Sequence, residues 1–591
     1  MKRAFLVFLC VMCLLVSLCA CDNDKPDPSS DPSAESSAPV ESGDPTDPDE
    51  PTDPTDPTDP ENPEDPTKPT KPGEPTKPTA PTKPGETTAS QGKTTGSSGT
   101  TAPTQSGATT KTTSQKTDPV KFTADKSVFN VVKQYGAKGN GTTDDTHAFI
   151  KAINAAAEVG GVVYAPAGLY KITSGLDVPI GVQLRGDHPT AGGNWRAVKD
   201  LGTSGTTQTD AAGSKWLTAS QFSGTWILVS HDAGNVNGHG TIRLQGNASV
   251  AGFGFVYPDT APVVTKVTPY PPAVEILNTK QTPYTRDGMT VEDIYLANAY
   301  IGVAFHGGNG KVLDHEVGNA NPSIYSLGRM RVHNVTGSCL YRGMILKALL
   351  DTVDVQNVNF GFTSLEPTFV NYRVNNCADM EWYRADGTNV KDVTCYGAKY
   401  GIYSTPAYVN GSTSMRVLNT KLTAQYPFYI TATGQYEVEG CTFTTIDFGG
   451  KCKDKDFCAL MVQQDATSIH QPFYAFNHTT LKDAVQSNSA TDQCLRIITK
   501  TASAPATLSF IDITFNGWSP DAKDPVVSYD QGGGNNGGAL FYGCTFTGPA
   551  NGLLCSAAKC KANSIQFNAC TIPAKLVNNA GTQGDALLVQ K

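Results

Sequence analysis

The chain has 591 residues, of which 38% are apolar and 17% are charged, and it contains 57 glycines and 39 prolines. Residues 22–118 hold 19 of those prolines and no aromatic residue, leucine or isoleucine, so this segment lacks the side chains of a core and is predicted to be disordered. Its acidic excess accounts for the net charge of −9, because residues 119–591 carry 36 basic and 36 acidic side chains. A neutral folded part lacks the basic excess that phosphate neutralisation requires, which excludes nucleic acid as an expected partner.

The first 21 residues are predicted to be an export signal. Two basic residues precede an apolar run over residues 4–20, as in the n-region and h-region of a secretory signal peptide. The run ends in LCAC at residues 18–21, which resembles the lipobox of bacterial lipoproteins, where cleavage leaves an N-terminal cysteine that carries lipid. Lipidation of Cys21 would anchor an extracellular protein to the cell membrane. An uncleaved anchor of about 17 residues, at the lower end of the spanning range, is the alternative.

Proline recurs at nearly every third position of the linker from Asp44 to Pro84. This spacing favours an extended polyproline-type conformation of about 3.1 Å per residue, whereas the Thr/Ser/Gly-rich part that follows is more flexible. The linker is therefore predicted to be either a stalk that holds the folded domain away from the membrane or a passive connector.

The start of the folded domain predicts one short helix followed by short strands. The helix is expected to begin near Asp144 or Asp145, to carry apolar side chains at helical spacing, and to end at Gly160-Gly161. The runs VVYA, YKI and VQLRG that follow are rich in β-branched and aromatic residues and are separated by turn residues, which indicates strands.

A six-residue phrase recurs through the rest of the domain. It consists of an apolar residue, any residue, then Asp, Asn or Gly, an apolar or small residue, any residue and usually another apolar one. It occurs as VAGFGF at 250, VEDIYL at 291, VHNVTG at 332, VQNVNF at 355, VNNCAD at 374, VKDVTC at 390, VLNTKL at 417, VEGCTF at 438, FIDITF at 510, FYGCTF at 541 and FNACTI at 567. Such a repeat indicates stacked coils, because a single coil cannot bury its own apolar side, and the Asn, Asp or Gly marks a bend that must tolerate a left-handed backbone. Antiparallel sheets with similar turns are the alternative.

The block YGAKGNGTTDDTHAFIKAINAA, followed by GGVVYAPAGLYKITSGLDVPIGVQLRGD, closely resembles the opening of the pectate-lyase-like superfamily, of the pectate lyase 3 and glycoside hydrolase 28-related type. The resemblance is specific over residues 130–187 and extends more weakly toward residue 572. It implies an all-β fold, a right-handed parallel β-helix that forms a single-stranded solenoid over residues 119–591, with a short N-terminal capping helix. The DDT motif at residues 144–146 would then be structural. Many members act on polysaccharides as glycoside hydrolases, lyases or epimerases, and others are phage tailspikes or adhesins, so the fold transfers better than the chemistry.

Eleven cysteines follow Cys21, an odd number that argues against complete pairing. Several share one apolar place in the coil phrase, or the apolar place two residues on, which predicts that they are buried in the stack as small hydrophobes. These are Cys377, Cys395, Cys441, Cys544 and Cys570. The candidates for bridges are Cys452 with Cys458 and Cys555 with Cys560, while no metal site is expected because no histidine lies at ligand spacing.

Carboxylates crowd the stretch from residue 351 to residue 386. Hydrolysis of a glycosidic bond needs one protonated and one ionised carboxyl group, and neighbouring coils can supply such a pair. We expect the catalytic residues among Asp351, Asp379, Glu381 and Asp386. The expected substrate-binding residues are Trp382 and Tyr383, which could stack on a sugar ring, and Arg342 and Arg384, which could bind hydroxyls or a uronate. The alternative is that these acids are solvated turn residues.

Three functions are compatible with these patterns. The first is an extracellular glycoside hydrolase, which acts on a polysaccharide with a carboxylate pair and needs no cofactor. The second is a polysaccharide lyase, in which Arg384 or a lysine abstracts the proton next to a uronate carboxyl while Ca²⁺ held by the same acids neutralises that carboxylate. The third is a non-catalytic carbohydrate-binding or adhesive solenoid on a stalk.

Overall fold

The structure is a computed structural model that describes part of the chain from residue 127 to residue 590. The segments outside the described residues are 1–126, 190–221, 261–266, 277–287, 307–327, 350, 364–366, 406–412, 432–433, 465–471, 486–490, 500–506, 518–524, 532–537, 548–552, 559–563, 574–576, 579–586 and 591. The predicted signal peptide, Cys21 and the predicted linker therefore lie outside the described residues. Within the described part, no helix is both long and apolar enough to cross a membrane.

Short strands wind in successive coils and pair in parallel with the equivalent strand of the next coil, which forms three ladders named here sheets A, B and C. Sheet A contains β1 (Val128–Asn130), β3 (Val162–Ala165), β6 (Gln183–Gly186), β9 (Ser249–Val256), β11 (Thr290–His306), β12 (Met330–Leu349), β13 (Val353–Gln356), β16 (Thr388–Lys391), β18 (Thr413–Leu418), β20 (Gly434–Glu439), β23 (Phe473–Asn477), β26 (Thr507–Ile511), β29 (Gly538–Tyr542), β32 (Ile565–Asn568) and β34 (Leu587–Gln590). This arrangement is the predicted right-handed parallel β-helix.

The other two sheets are built in the same way, and the long strands turn a corner and contribute to more than one sheet. Sheet B contains β2 (Asn140–Asp144), β4 (Gly168–Ile172), β7 (Thr225–Val229), parts of β9, β11 and β12, β14 (Asn359–Phe360), β17 (Thr394–Thr405), β19 (Lys421–Ile430), β21 (Thr442–Thr445), β24 (Thr480–Asp483), β27 (Thr514–Asn516) and β30 (Thr545–Thr547). Sheet C contains β5 (Leu176–Val178), β8 (Ile242–Leu244), β10 (Val274–Ile276), the ends of β11 and β12, β15 (Ala378–Ala385), the ends of β17 and β19, β22 (Asp456–Gln464), β25 (Thr491–Thr499), β28 (Pro525–Gln531), β31 (Leu553–Ala558) and β33 (Val577–Asn578).

Helix α1 (Thr146–Ala157) lies at the start of the solenoid, as predicted, and buries its apolar face on the first coils. The Asp145 carboxylate accepts hydrogen bonds from the backbone N–H groups of Lys138 and Gly139, at 2.6 and 2.9 Å. Asp144 accepts from the Thr146 and Thr173 side chains. The DDT motif is therefore structural, as the resemblance implied.

The corner between sheets A and B is a one-residue bend with a left-handed backbone in most coils. The bend residues include Gly252, Asp293, Asn334, Asn357, Asp392, Asn419, Gly440, Asp512, Gly543 and Ala569, all with positive φ. Neighbouring bends are linked through their side chains, because the Asn357 amide donates to Asn334 at 2.7 Å and the Asn334 amide donates to Asp293 at 2.9 Å. The predicted coil phrase is thus confirmed at these positions.

Two coils depart from the phrase. Residues 374–376 do not form a bend, because they end helix α2 (Pro367–Asn376), which is inserted between sheets B and C. Conversely, His478 forms a left-handed bend that the phrase missed, since the pattern admitted only Asp, Asn or Gly. The corner between sheets B and C therefore varies in length, from the insertion that contains α2 to the uninterrupted strand β19.

The interior of the solenoid is filled by side chains that stack from coil to coil. Phe510, Phe541 and Phe567 are stacked at centroid distances of 4.7 and 4.6 Å, and all three are fully buried. The predicted burial of the phrase cysteines is confirmed for Cys377, Cys395, Cys441 and Cys544, whereas Cys570 is partly exposed. The proposed Cys452–Cys458 bridge is absent, since both cysteines are free and lie in different apolar clusters. The Cys555–Cys560 bridge stays a prediction, because Cys560 lies outside the described residues.

Candidate functional site

The four acids that the sequence singled out do not meet at one place. Asp379 and Glu381 lie on strand β15, Asp386 follows that strand, and Asp351 lies in the turn before β13. Five residues separate Glu381 from Asp386, which is about 16 Å along an extended strand. Asp351 and Asp386 therefore lie at the other end of sheet C from Asp379.

Asp379 is completely enclosed beneath helix α2. Its carboxylate accepts a hydrogen bond of 2.6 Å from the guanidinium of Arg373, which is also fully buried and comes from α2. Burial raises the pKa of Asp379 from its usual value, and the charge of Arg373 opposes that shift. Asp379 thus anchors an inserted helix, which contradicts its expected place on an open catalytic face.

Glu381 is enclosed as well, and it forms an ion pair with Arg342. The Arg342 guanidinium lies over the Tyr341 ring at 3.9 Å and donates to the backbone carbonyls of Tyr341 and Asn376. Arg342, predicted to bind substrate, and Glu381, predicted to be catalytic, therefore form an ion pair with each other. They lie on the outward side of sheet C.

Asp351 is partly exposed and pairs with Arg329 at 3.0 Å. The backbone N–H of Thr352 donates to its carboxylate and lowers the pKa of Asp351 below its usual value. Asp386 lies one coil further on, and its own backbone N–H donates to the carbonyl of Leu349.

The aromatic prediction is wrong for Trp382. Its side chain points into the solenoid and is fully buried, with the indole N–H directed at Thr388, so it is not presented to a sugar ring. The backbones of Tyr383 and Arg384 belong to β15, but their side chains lie outside the described residues.

A cluster of four tyrosines lies on sheet C and is named here the tyrosine face; Tyr426 is buried, and the other three rings are partly exposed. Tyr400 and Tyr403 come from β17, and Tyr426 and Tyr429 come from β19, one coil further on. Tyr400 stacks on Tyr403 at 4.7 Å and on Tyr426 at 5.4 Å, while Tyr429 meets the rings edge-on. Flat aromatic surfaces of this kind can pack against the apolar face of a sugar ring.

The tyrosine face has charged groups on both sides along the solenoid axis. On the N-terminal side, Glu381 is the strand partner of Tyr403, and its charge together with burial raises the pKa of Tyr403. On the C-terminal side lie Asp454 and Asp456, which are partly exposed, with side-chain accessibilities of 45% and 37%. The tyrosine rings and these ionisable groups thus lie next to each other.

Asp454 and Asp456 lie close to each other because both contact the Tyr426 hydroxyl, at 3.4 and 3.2 Å. Burial and the two carboxylates raise the pKa of Tyr426, so its hydroxyl stays protonated and donates to them. Two oxygens that share one hydroxyl cannot be more than about 7 Å apart, a limit that admits the separation of about 5–5.5 Å typical of retaining pairs but excludes most of the inverting range of about 6.5–9.5 Å.

The two acids differ in their surroundings. Arg496 forms a bidentate ion pair with Asp456, with N–O distances of 2.6 and 2.8 Å. The Lys399 ammonium nitrogen lies 3.8 Å from a carboxylate oxygen of Asp454. The Gln425 amide donates to the backbone carbonyls of both aspartates and fixes the loop that carries them. In the described part of the chain, no group of three His, Cys, Asp or Glu side chains is arranged to hold a metal ion.

Residues 128–249 match the family described as rhamnogalacturonase A/epimerase, pectate lyase-like. This part of the chain is therefore similar to pectate-lyase-like β-helix proteins. Curated proteins match over short segments. Alginate lyase 7 of Azotobacter vinelandii is 53% identical over 54 residues, which are 9% of this chain and 6% of that protein. The pre-neck appendage protein of Bacillus phage phi29 is 47% identical over 55 residues, which are 9% of this chain and 6% of that protein. The chain thus spans only a small fraction of the length of the curated relatives it matches.

Among solved structures, the A-module of the mannuronan C-5 epimerase AlgE6 of Azotobacter vinelandii is 12% identical to this β-helix. The superposition covers 75% of this chain and 98% of the AlgE6 module, with a TM-score of 0.38. A GH87 α-1,3-glucanase catalytic unit of Streptomyces thermodiastaticus is 15% identical and covers 79% and 68%, with a TM-score of 0.34.

Sequence reasoning missed the tyrosine face and the two aspartates beside it. A signal was available, because the motif Y-x-x-Y occurs at 400–403 and again at 426–429, one coil apart, which indicates that the four rings share a corner of the β-helix. Asp454 and Asp456 lie in the run KCKDKD, which reads as a solvated charged loop. Only the stacking of coils places that loop next to the tyrosines.

Proposed function

We propose that this β-helix binds a polysaccharide on the tyrosine face and hydrolyses it with Asp454 and Asp456. The observation that supports the proposal is the shared contact of the two carboxylates with the Tyr426 hydroxyl, directly beside the four rings. The match to a family described as rhamnogalacturonase A/epimerase favours a polysaccharide as the ligand class.

The chemistry assigns a role to each acid. Asp456 pairs with the Arg496 guanidinium, and we assign it the role of the group that activates water or attacks the sugar. We assign to Asp454, the more exposed of the two acids, the role of proton donor to the leaving oxygen. No cofactor takes part in this route.

The test uses the full chain with a panel of neutral and uronate polysaccharides, scored for reducing ends and for unsaturated products. The wild type should release reducing ends without unsaturation, and Asp454→Asn and Asp456→Asn should each lower the rate at least about 100-fold. Asp512→Asn is the matched control, because this exposed aspartate pairs with His478 at another corner of the solenoid, and its rate should be unchanged. Full activity of both loop variants would contradict the assignment, and unsaturated products that disappear on removal of Ca²⁺ would favour a lyase.

A second function, glycan binding without cleavage, is favoured by one observation. Both carboxylate oxygens of Asp456 accept hydrogen bonds from Arg496. A carboxylate held in this way can keep a binding surface rigid without taking part in a reaction. In that case the panel would show retention of a glycan and no released product, and Tyr403→Ala would weaken retention.

We also propose that the protein is extracellular and held at the cell membrane through lipid on Cys21. The LCAC sequence after the apolar run supports this proposal. Cys21→Ala should abolish incorporation of labelled fatty acid, whereas labelling of that variant at the wild-type level would contradict the proposal.

A further inference from the structure

Cys544 and Cys570 occupy the same position in two successive coils. Each directly follows a left-handed bend residue, Gly543 in one coil and Ala569 in the next. The two coils are in register here, because Thr571 donates its backbone N–H to the Cys544 carbonyl at 2.8 Å. Parallel neighbours lie about 4.8 Å apart, which is within the Cα separation of about 4.4–6.8 Å that a disulfide spans.

The two thiols are adjacent but differ in access. Each sulfur contacts backbone carbonyls, those of Phe510 and Tyr542 for Cys544 and those of Phe541 and Asn568 for Cys570, so the Cys570 sulfur is directed at the strand that precedes Cys544. Cys544 is fully buried, whereas Cys570 is partly exposed. A reagent from solvent can therefore reach Cys570 first, and Cys544 lies directly behind it.

We propose that Cys570 and Cys544 form a thiol exchange site that closes a disulfide between successive coils. The Cys570 thiolate attacks one sulfur of a small-molecule disulfide, forms a mixed disulfide and releases one thiolate. Cys544 then loses its proton to solvent, and its sulfur attacks the Cys570 sulfur and releases the second thiolate. Two protein thiols are oxidised and one small disulfide is reduced, so the step balances.

The electrostatics favour this order of events. The neighbouring Cys544 thiol lowers the pKa of Cys570, which raises the thiolate fraction of the outer thiol at neutral pH. The neighbouring Cys570 thiol and burial raise the pKa of Cys544, which keeps the inner thiol protonated until the mixed disulfide has formed.

The chain contains a matched control for this pair. Cys441 also follows a left-handed bend, Gly440, but its neighbours in the adjacent coils are Thr420 and Thr479, so it has no sulfur partner in the stack. Burial raises the pKa of Cys441 to about 11. Cys441 therefore shares the position of the pair without its reactivity.

The experiment uses the full chain, reduced, freed of reductant and exposed to oxidised glutathione at neutral pH. The protein is then denatured, alkylated and digested, and the peptides are analysed by mass spectrometry. The expected result is a peptide that joins Cys544 to Cys570, and Cys570 should react on the order of 100-fold faster than Cys441. In Cys544→Ser, Cys570 should stop at the mixed disulfide with glutathione, and Cys441→Ser should leave the cross-link unchanged.

Alkylation of both thiols in the wild type would overturn the proposal. So would a stable glutathione adduct on wild-type Cys570 beside an alkylated Cys544, since this outcome means that the second sulfur does not close the bond. Both outcomes are read on the wild-type chain, so they do not depend on how the variants fold.

Discussion

The buried pair of Arg373 and Asp379 should control how firmly helix α2 is held on the solenoid. Asp379→Asn keeps the shape of the side chain but leaves the Arg373 charge enclosed without its counter-ion. Removal of one partner from a buried ion pair destabilises by about 3–5 kcal/mol. This loss of stability is local to the pair, so local opening of α2 should become roughly 150-fold to 5,000-fold more frequent.

Hydrogen exchange followed by mass spectrometry measures this opening directly. Peptides that cover residues 367–376 should exchange faster in Asp379→Asn by that factor, while peptides from residues 538–547, far along the stack, should not change. Wild-type exchange in residues 367–376 would refute the anchoring role. If polysaccharide cleavage were abolished at the same time, Asp379 would belong to the catalytic machinery after all.

Two further predictions concern the core and the first coils. Phe541→Ala should destabilise the fold by about 3–5 kcal/mol, because it opens a cavity between two stacked phenylalanines. Leu540→Ala, at an exposed position of the same strand, should change stability by less than about 0.5 kcal/mol. Urea unfolding measures both changes. Burial lowers the pKa of His231 below its usual 6.5 despite its contact with Asp232, so the folded state binds fewer protons there than the unfolded state. Stability should therefore fall as the pH drops below about 6.5, and His231→Gln should make the thermal midpoint less sensitive to pH over that range; an unchanged pH dependence in His231→Gln would contradict the assignment.

The fold was predictable from the sequence because its rules are local. The bend needs a residue that tolerates a left-handed backbone, and Asp, Asn or Gly at the third place of the phrase marks it in most coils. The prediction is wrong at residues 374–376, where the same composition ends a helix, and it missed His478, whose bend depends on the coils above and below. Local patterns cannot distinguish these cases, since stacking decides them.

The site was less predictable because its contacts come from residues far apart in the chain. Asp379 resembles an exposed acid until Arg373, on an inserted helix, is placed over it. Trp382 and Met380 lie two residues apart on one strand, so both side chains point to the same face, and both are buried. This alternation was visible in the sequence, but the acids beside Trp382 led to its prediction as a sugar-stacking residue. The Asp456–Arg496 pair joins strands β22 and β25 of neighbouring coils, and only coil register brings them together.

The one-residue bend between sheets A and B also has an evolutionary consequence. Because the side chains of the successive bends at Asp293, Asn334 and Asn357 hydrogen-bond to one another, an extra residue there would break the register of two coils at once, which disfavours insertions at this corner. The corner between sheets B and C, which carries helix α2 and borders the tyrosine face, can lengthen or shorten without disturbing the stack. Changes in the loops at this corner can therefore alter ligand specificity while the spacing of the coils stays the same.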